Sequence, residues 1–322
     1  MTNRIHPFLD VEGNYLGKRP CKLSFTLTLW YYYGDTTLSI LIIGVAKGLS
    51  KIGLTMVDEL METAVLPALT TKWLGHVYLY YLTLGSTNDE LKRLLAEGNE
   101  LPIGTVVLTD FQSQGRGRLN RGWFVPPQSS LLHSILFRPD WPAIQANWLT
   151  MMVGVAAAEA IEAATGLTVG LKWPNDVMVQ QGDEWHKVSG ILLEGQVTNG
   201  RLQQAIVGIG INVNVPAGEL PATVTPATSL LIATGRPVAR LPLLLDFWQR
   251  LEHYYEADQS PHKTWQQRLI TLGQQVQISQ VGQPSVIGRA ETADIWGQLL
   301  VRDETGNIHT IAAGDVTLRR EA

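Results

Sequence analysis

Cysteine is all but missing: Cys21 stands alone among 322 residues. A single thiol excludes an internal disulfide framework and a cysteine-based zinc cluster, and a reducing cytoplasm is its natural setting. An excess of positive charge is missing too. The 25 lysines and arginines against 29 aspartates and glutamates leave a formal net charge of −4. That balance excludes a surface built throughout for nucleic acid, while leaving room for a local basic patch. No apolar run reaches the ~20 residues that span a bilayer. The nearest approach, LSILIIGVA at 38–46, reads as a buried strand, with a peripheral anchor and a stretch that never folds as the competing readings. No secretory pattern opens the chain, and neither internal repeats nor low-complexity tracts appear. What is present is ordinary globular material, 45% hydrophobic and 17% charged.

Residues 1–55 are net basic, rich in Tyr and Gly, and without a sustained helical period. They lack the two apolar-periodic helices and short turn of a helix-turn-helix, so no DNA-binding module is expected in this extension, whose role the sequence leaves open. Met56 opens a helical pattern and is the expected start of the folded part. From Tyr78 the signals sharpen. In GSTNDELKRLLAEG, Thr87 and Glu90 have capping-box spacing, Leu91, Leu94 and Leu95 make one stripe, and Gly98 stops the helix. GTVVLTDF at 104–111 and SLLHSILFR at 130–138 are β-rich, and the Ala-rich segment 147–166 predicts a helix lying deep against a sheet. Further strands are expected around 169–173, 188–197 and 205–215, and helices at 241–257 and 261–272. After Gly273 short β segments recur at the spacing of a small barrel.

Between the first two strands lies GRGRLNRGWF, residues 115–124. Gly115 and Gly117 let the backbone turn back and present N–H groups, Arg116, Arg118 and Arg121 supply fixed bidentate cations, and Trp123 offers a flat face. A solvated basic loop with a core tryptophan reads the same ten residues without function. The spacing matches neither a Walker loop nor a dinucleotide fingerprint. LKWPNDVMV places Lys172, Asn175 and Asp176 around a proline, as an ordinary turn or as a site where Asp176 holds a divalent metal bridging phosphates. HKVSGILLEG brings Lys187 to a strand start with Gly190 three residues on, where a ligand can lie against bare backbone, and GIGIN ends a buried strand at Asn212.

These motifs, GSTNDE, QSQGRGRLNRGWFVP, LKWPND, KVSGILLE, GIGINVN and GDVTLR, stand in the order and roughly the spacing of one family. From about Leu74 to Arg320 the chain resembles the biotin protein ligases. The resemblance implies an α+β fold, with a mixed catalytic sheet carrying helices on one face at 56–272 and a small SH3-like barrel at 273–322. It implies an ATP-dependent, AMP-forming enzyme that makes biotinyl-5′-AMP with Mg2+ and passes biotin to a lysine of the carboxyl carrier protein of acetyl-CoA carboxylase. It also admits a homodimer. Carried over, Ser86, Thr87, Asn88, Gln112, Gly115, Arg116, Gly117, Arg118, Lys187 and Gly190 fall to biotin. Arg118, Arg121, Trp123, Asn175, Asp176, Lys187 and Asn212 fall to ATP, with Asp176 as the metal contact through phosphates. Arg118 and Lys187 are the expected catalytic cations. QQGDEWH lengthens the connection before Lys187, and a register slip there would hand its place to Lys172. A lipoate or octanoate ligase of the same fold is the alternative enzyme, although the arginine-glycine loop with KWPND favours biotin. A biotin-sensing repressor is the alternative outside enzymes.

Overall fold

The computed structural model describes residues 60–319 apart from 221–224, 258 and 281. The extension and the strand expected at 38–46 therefore lie outside the described residues. After a single turn of helix, α1 (Glu62–Val65), the chain builds one mixed sheet from β1 (Tyr78–Tyr81), β2 (Val106–Thr109), β3 (Ser130–Phe137), β4 (Trp141–Pro142), β5 (Val169–Lys172), β6 (Asp176–Gln181), β7 (Glu184–Thr198) and β8 (Arg201–Asn212). Its order is β1-β2-β3-β8-β7-β6-β5, with β4 pairing beside the start of β8. Among these strands only β1 and β2 run parallel; the remaining ladders are antiparallel, with β5 to β8 joined by short hairpin turns.

Alternation along these strands separates two faces. Val106, Leu108, Leu131, Ile135, Val207 and Ile209 point into the main core, with α3 (Asn147–Thr165) and, after the short α4 (Leu230–Thr234), α5 (Arg240–Glu256) packed on that side. Alanines let α3 lie close to the sheet and to α5, and Gly166, at φ +74°, closes it by donating its N–H to the Glu162 carbonyl. The helical segment Ala143–Thr165 is long and apolar enough to cross a membrane by length and composition alone; here much of it is core. The two long helices thus share one face, as expected. The opposite face carries α2 (Thr87–Ala96), whose Leu91 meets Val107, Leu136 and Ile206.

Three local expectations are corrected. The capping box does not form: α2 begins one residue earlier than that pattern requires, with Ser86 at the N-cap and no side-chain cap, because the Thr87 hydroxyl is turned into the sheet and Glu90 is drawn to Arg93 and Tyr81. The helix expected over 261–272 stops early, as α6 (His262–Gln267). Residues 268–270 leave it to pair with β5, exchanging Leu171 N–H to Arg268 O and Ile270 N–H to Leu171 O, and so cover a sheet edge. Beyond them, β9 (Gln275–Gln280), β10 (Gln283–Ala293), β11 (Leu299–Arg302), β12 (Ile308–Ile311) and β13 (Asp315–Arg319) form an antiparallel sheet in the order β12-β11-β10-β9-β13. Three residues, 312–314, join its two edges, which limits their separation to about 14 Å. The sheet therefore curls, helped by irregular registers in β10, but no ladder closes it into a barrel among the described residues.

One buried carboxylate holds the start of the sheet. Glu252 on α5 accepts the backbone N–H groups of Lys72, Trp73 and Leu74 at 2.8 to 3.0 Å. Truncating Glu252 to Ala leaves those donors without their acceptor and is expected to cost about 3 kcal/mol. Urea unfolding measures this as a lower midpoint at unchanged slope; an unshifted midpoint would show that water replaces the carboxylate freely.

Candidate active site

The register of the sheet builds the site. Reading straight across paired residues gives Thr109, Leu132, Gly210, Gly190, Asp176 and Lys172 in one row, on the face away from the core. Two glycines meet in its middle and make a bare floor, and charged groups stand at one end. A β-bulge decides what joins them. Met178 pairs with Lys187 and Val177 with Ser189, so Val188 is the extra residue. The shift changes the parity of β7 and brings the Lys187 ammonium to 3.2 Å from where a Cβ on Gly190 would lie. The long QQGDEWH connection is absorbed by lengthening both strands around a turn at Gly182 and Asp183, and Lys187 keeps its place at the site.

Lys187 pairs with Asp176 at 2.6 Å and stands 5.5 Å from the ring centre of Trp123. Lys172 is buried behind them and donates to Thr225 Oγ1 at 2.7 Å. Burial pulls its ammonium below the ordinary lysine range; Asp176 opposes that shift and Lys187 adds to it. Trp123 lies flat on the floor, within 2.9 Å of the positions that side chains on Gly190 and Gly210 would need. The indole Nε1 is buried without a partner.

The arginine-glycine segment closes as a narrow hairpin across Arg116 and Gly122, held by Gly117 N–H to Arg121 O at 2.7 Å and Trp123 N–H to Gly115 O at 2.9 Å. Its three arginines go separate ways. Arg116 pairs with Asp89 of α2. Arg118 donates to Asn175 Oδ1 at 3.2 Å, and Arg121 pairs with Asp315 on β13. Burial lowers the Arg118 pKa from the usual arginine value, with Asp315 and Asp176 countering. Asn175 is committed on its other side, donating to Ile191 O at 2.7 Å. Asn212 donates to Thr228 O at 3.0 Å and leaves its own Oδ1 buried without a partner.

A polar wall flanks the floor at the start of α2. Gln112 Oε1 accepts the Thr87 N–H at 2.9 Å, and the Ser134 hydroxyl lies 2.6 Å from Thr87 Oγ1 and 2.5 Å from Asn88 Oδ1. Asn88 lies over Gly208, where a Cβ would come within 2.4 Å of its oxygen. Ser86, Thr87, Asn88 and Gln112 are all buried. Gly115 lies against Gln112 and Arg116 reaches Asp89 of α2, while Gly190 lies beside Lys187. Arg121 stands apart, turned to the C-terminal sheet, and Gly117 serves the hairpin's backbone. Sequence reasoning passed over Ser134, Gly208, Gly210, Glu194 and Asp315. The alternating glycines of GIGIN were the available signal for the floor.

The sequence profile of the biotin/lipoate A/B protein ligase family matches residues 81–212, the span from β1 to the end of β8. The bifunctional ligase/repressor BirA of Bacillus subtilis is 32% identical over 266 residues, covering 81% of this chain and 79% of that protein. The chain belongs to the biotin protein ligases. The biotin–[acetyl-CoA-carboxylase] ligase of Mycobacterium tuberculosis is also 32% identical, over 72% of this chain and 85% of its own length. Among solved structures, the biotin protein ligase from Aquifex aeolicus in complex with biotin and ATP superposes with a TM-score of 0.62 at 30% identity, covering 76% of this chain and 99% of that one.

In this ligase the hairpin depends on Gly115, where a Cβ would meet the Trp123 carbonyl oxygen at 2.2 Å. Gly115→Val is expected to force the hairpin open and to speed tryptic cleavage at Arg116, Arg118 and Arg121 about tenfold, with global unfolding little changed. Cleavage at the wild-type rate would mean that the hairpin does not rely on this close approach.

Proposed function

We propose that this ligase works on a single platform. Its acid substrate takes the place of the Trp123 indole on the Gly190 floor, against the wall of Ser86, Thr87, Asn88, Gln112, Gly115, Arg116 and Gly117, and the nucleotide meets Arg118, Trp123, Asn175, Asp176, Lys187 and Asn212, with Arg121 joining them on leaving Asp315. The observation that carries this reading is the convergence of Arg118, Lys187 and a buried polar wall on a floor kept bare by paired glycines. In the first step a biotin carboxylate oxygen attacks the α-phosphorus of ATP, and pyrophosphate leaves with its electron pair. In the second, the amine of an acceptor lysine attacks the acyl carbon and AMP leaves, while the amine's proton passes to solvent or base.

Both substrates of the first step are anions. Fixed cations are therefore needed to bring them together, and the same cations stabilise charge as it moves to the leaving group. Arg118 and Lys187 are assigned that work. Lys187 is held in reserve by Asp176 and released toward phosphate when substrate competes for it. One carboxylate, Asp176, together with nucleotide phosphates is a donor set that Mg2+ accepts; bound there, the ion would neutralise the triphosphate. The acceptor is the carboxyl carrier protein of acetyl-CoA carboxylase, residues 56–272 supply the chemistry, and 273–322 lend Asp315 to hold Arg121. A reducing cytoplasm fits the single thiol.

Exchange of labelled pyrophosphate into ATP tests the reading. It is expected with biotin and not with lipoate; no exchange with biotin would overturn it. Arg118→Ala should slow adenylate formation by about 3 kcal/mol, on the order of a hundredfold. A near-normal single-turnover rate would remove Arg118 from the catalytic role.

A further inference from the structure

Glu194 sits on β7 four residues beyond Gly190 on the same face, two rows from the glycine floor, where Leu192 pairs with Gly208 and Glu194 with Ile206. It accepts from Asn88 Nδ2 at 2.7 Å and Lys92 Nζ at 2.6 Å, and Arg116 Nη2 approaches to 3.8 Å. We propose that Glu194 is a positioning residue that sets the donor and acceptor polarity of the substrate wall. The inference rests on the reading that Thr87, Asn88 and Gln112 face the acid substrate.

Burial alone would raise the Glu194 pKa, but hydrogen bonds from Lys92 and Asn88 outweigh it and hold the carboxyl below its usual range. An ionised carboxylate only accepts. Asn88 must therefore turn its Nδ2 to Glu194 and its Oδ1 to Ser134. Ser134 has one proton, and at 2.5 Å from an amide oxygen that proton goes to Asn88. Ser134 then has no proton for Thr87, whose hydroxyl donates either to the Ser134 oxygen at 2.6 Å or to Gln112 Oε1 at 3.2 Å and in both cases keeps its lone pairs for the site. Gln112 is fixed independently, since its Oε1 takes the Thr87 N–H, which leaves its Nε2 as a donor. Asn88 and Ser134 have one direction because their chain ends on an anion, and Ser134, its proton committed, cannot donate to Thr87. With a neutral amide at 194 either sense becomes possible: Asn88 can flip, Ser134 can reverse, and Thr87 can present its proton where it had presented lone pairs.

The same carboxylate faces Arg116 from the hairpin. One residue thereby ties the wall to the segment that closes over it, while touching neither the floor nor the Arg118 and Lys187 cations. Its loss should act on binding of the acid, not on the chemical step.

Steady-state pyrophosphate exchange with biotin as the varied substrate tests this in the full-length enzyme, using Glu194→Gln, Thr87→Val and Lys92→Met. Glu194→Gln keeps size and one acceptor. It is expected to raise KM for biotin about tenfold, with kcat within about twofold and KM for ATP unchanged. Thr87→Val should also raise KM for biotin, and Lys92→Met, which removes only the outer partner, should leave it unchanged. A wild-type biotin KM in Glu194→Gln beside a raised one in Thr87→Val overturns the positioning role and leaves the pocket reading standing. Wild-type values in both overturn the pocket reading and the inference with it. A rise in Lys92→Met equal to that in Glu194→Gln reduces Glu194 to half of an ion pair on α2 and overturns it as well.

Discussion

The site depends on strand register. A pleated sheet commits every second residue to each face, so the meeting of Gly190 with Gly210, and of Asp176 with Gly190, follows from the pairing of three neighbouring strands. One inserted residue, Val188, then reverses the parity at a single point and lets Lys187 share a face with Gly190. Without that insertion the lysine would point toward the helices, where an ammonium has no partner and a large desolvation penalty. The bulge brings this lysine to the glycine face while its extra residue, Val188, is taken up in the core.

Around this register the remainder of the catalytic unit acts as support. The alanine-lined α3 and the aromatic stripe of α5 fill the core face, so that the opposite face is free to be polar and concave. The polar residues on that face are buried, and each was placed so that others satisfy most of its hydrogen bonds. Among the exceptions in the described residues are Trp123 Nε1 and Asn212 Oδ1, at the floor and beside it, Arg116 Nε in the hairpin and Ser130 Oγ on β3. Buried unpaired groups of this kind cost free energy in the empty protein and are commonest where function requires them.

Much of this was legible beforehand, and the reasons are specific. The strands 130–137 and 201–212 announce themselves by dense β-branched and aliphatic residues, and α3 by its alanines and the closing Gly166. The site motifs were readable because glycine, arginine and proline in such densities are rare in ordinary elements. What stayed hidden depended on tertiary context. Thr87 and Glu90 have the spacing of a cap, and only the nearby Ser134 and Arg93 show why they do something else. Residues 268–270 look helical until the open edge of β5 draws their backbone away. Glu194 and Ser134 are common residues in strands, and their importance is set by which residues lie across from them.

Trp123 resting on Gly190 and Gly210 has a thermodynamic corollary. On the proposed placement of the acid substrate, an incoming ring system exchanges with an indole that already covers the glycines, so the apolar contribution is only the difference between two burials. Recognition is thereby shifted to the hydrogen-bonding flank, where a molecule of the right outline but the wrong pattern of donors gains nothing to offset the tryptophan it has dislodged.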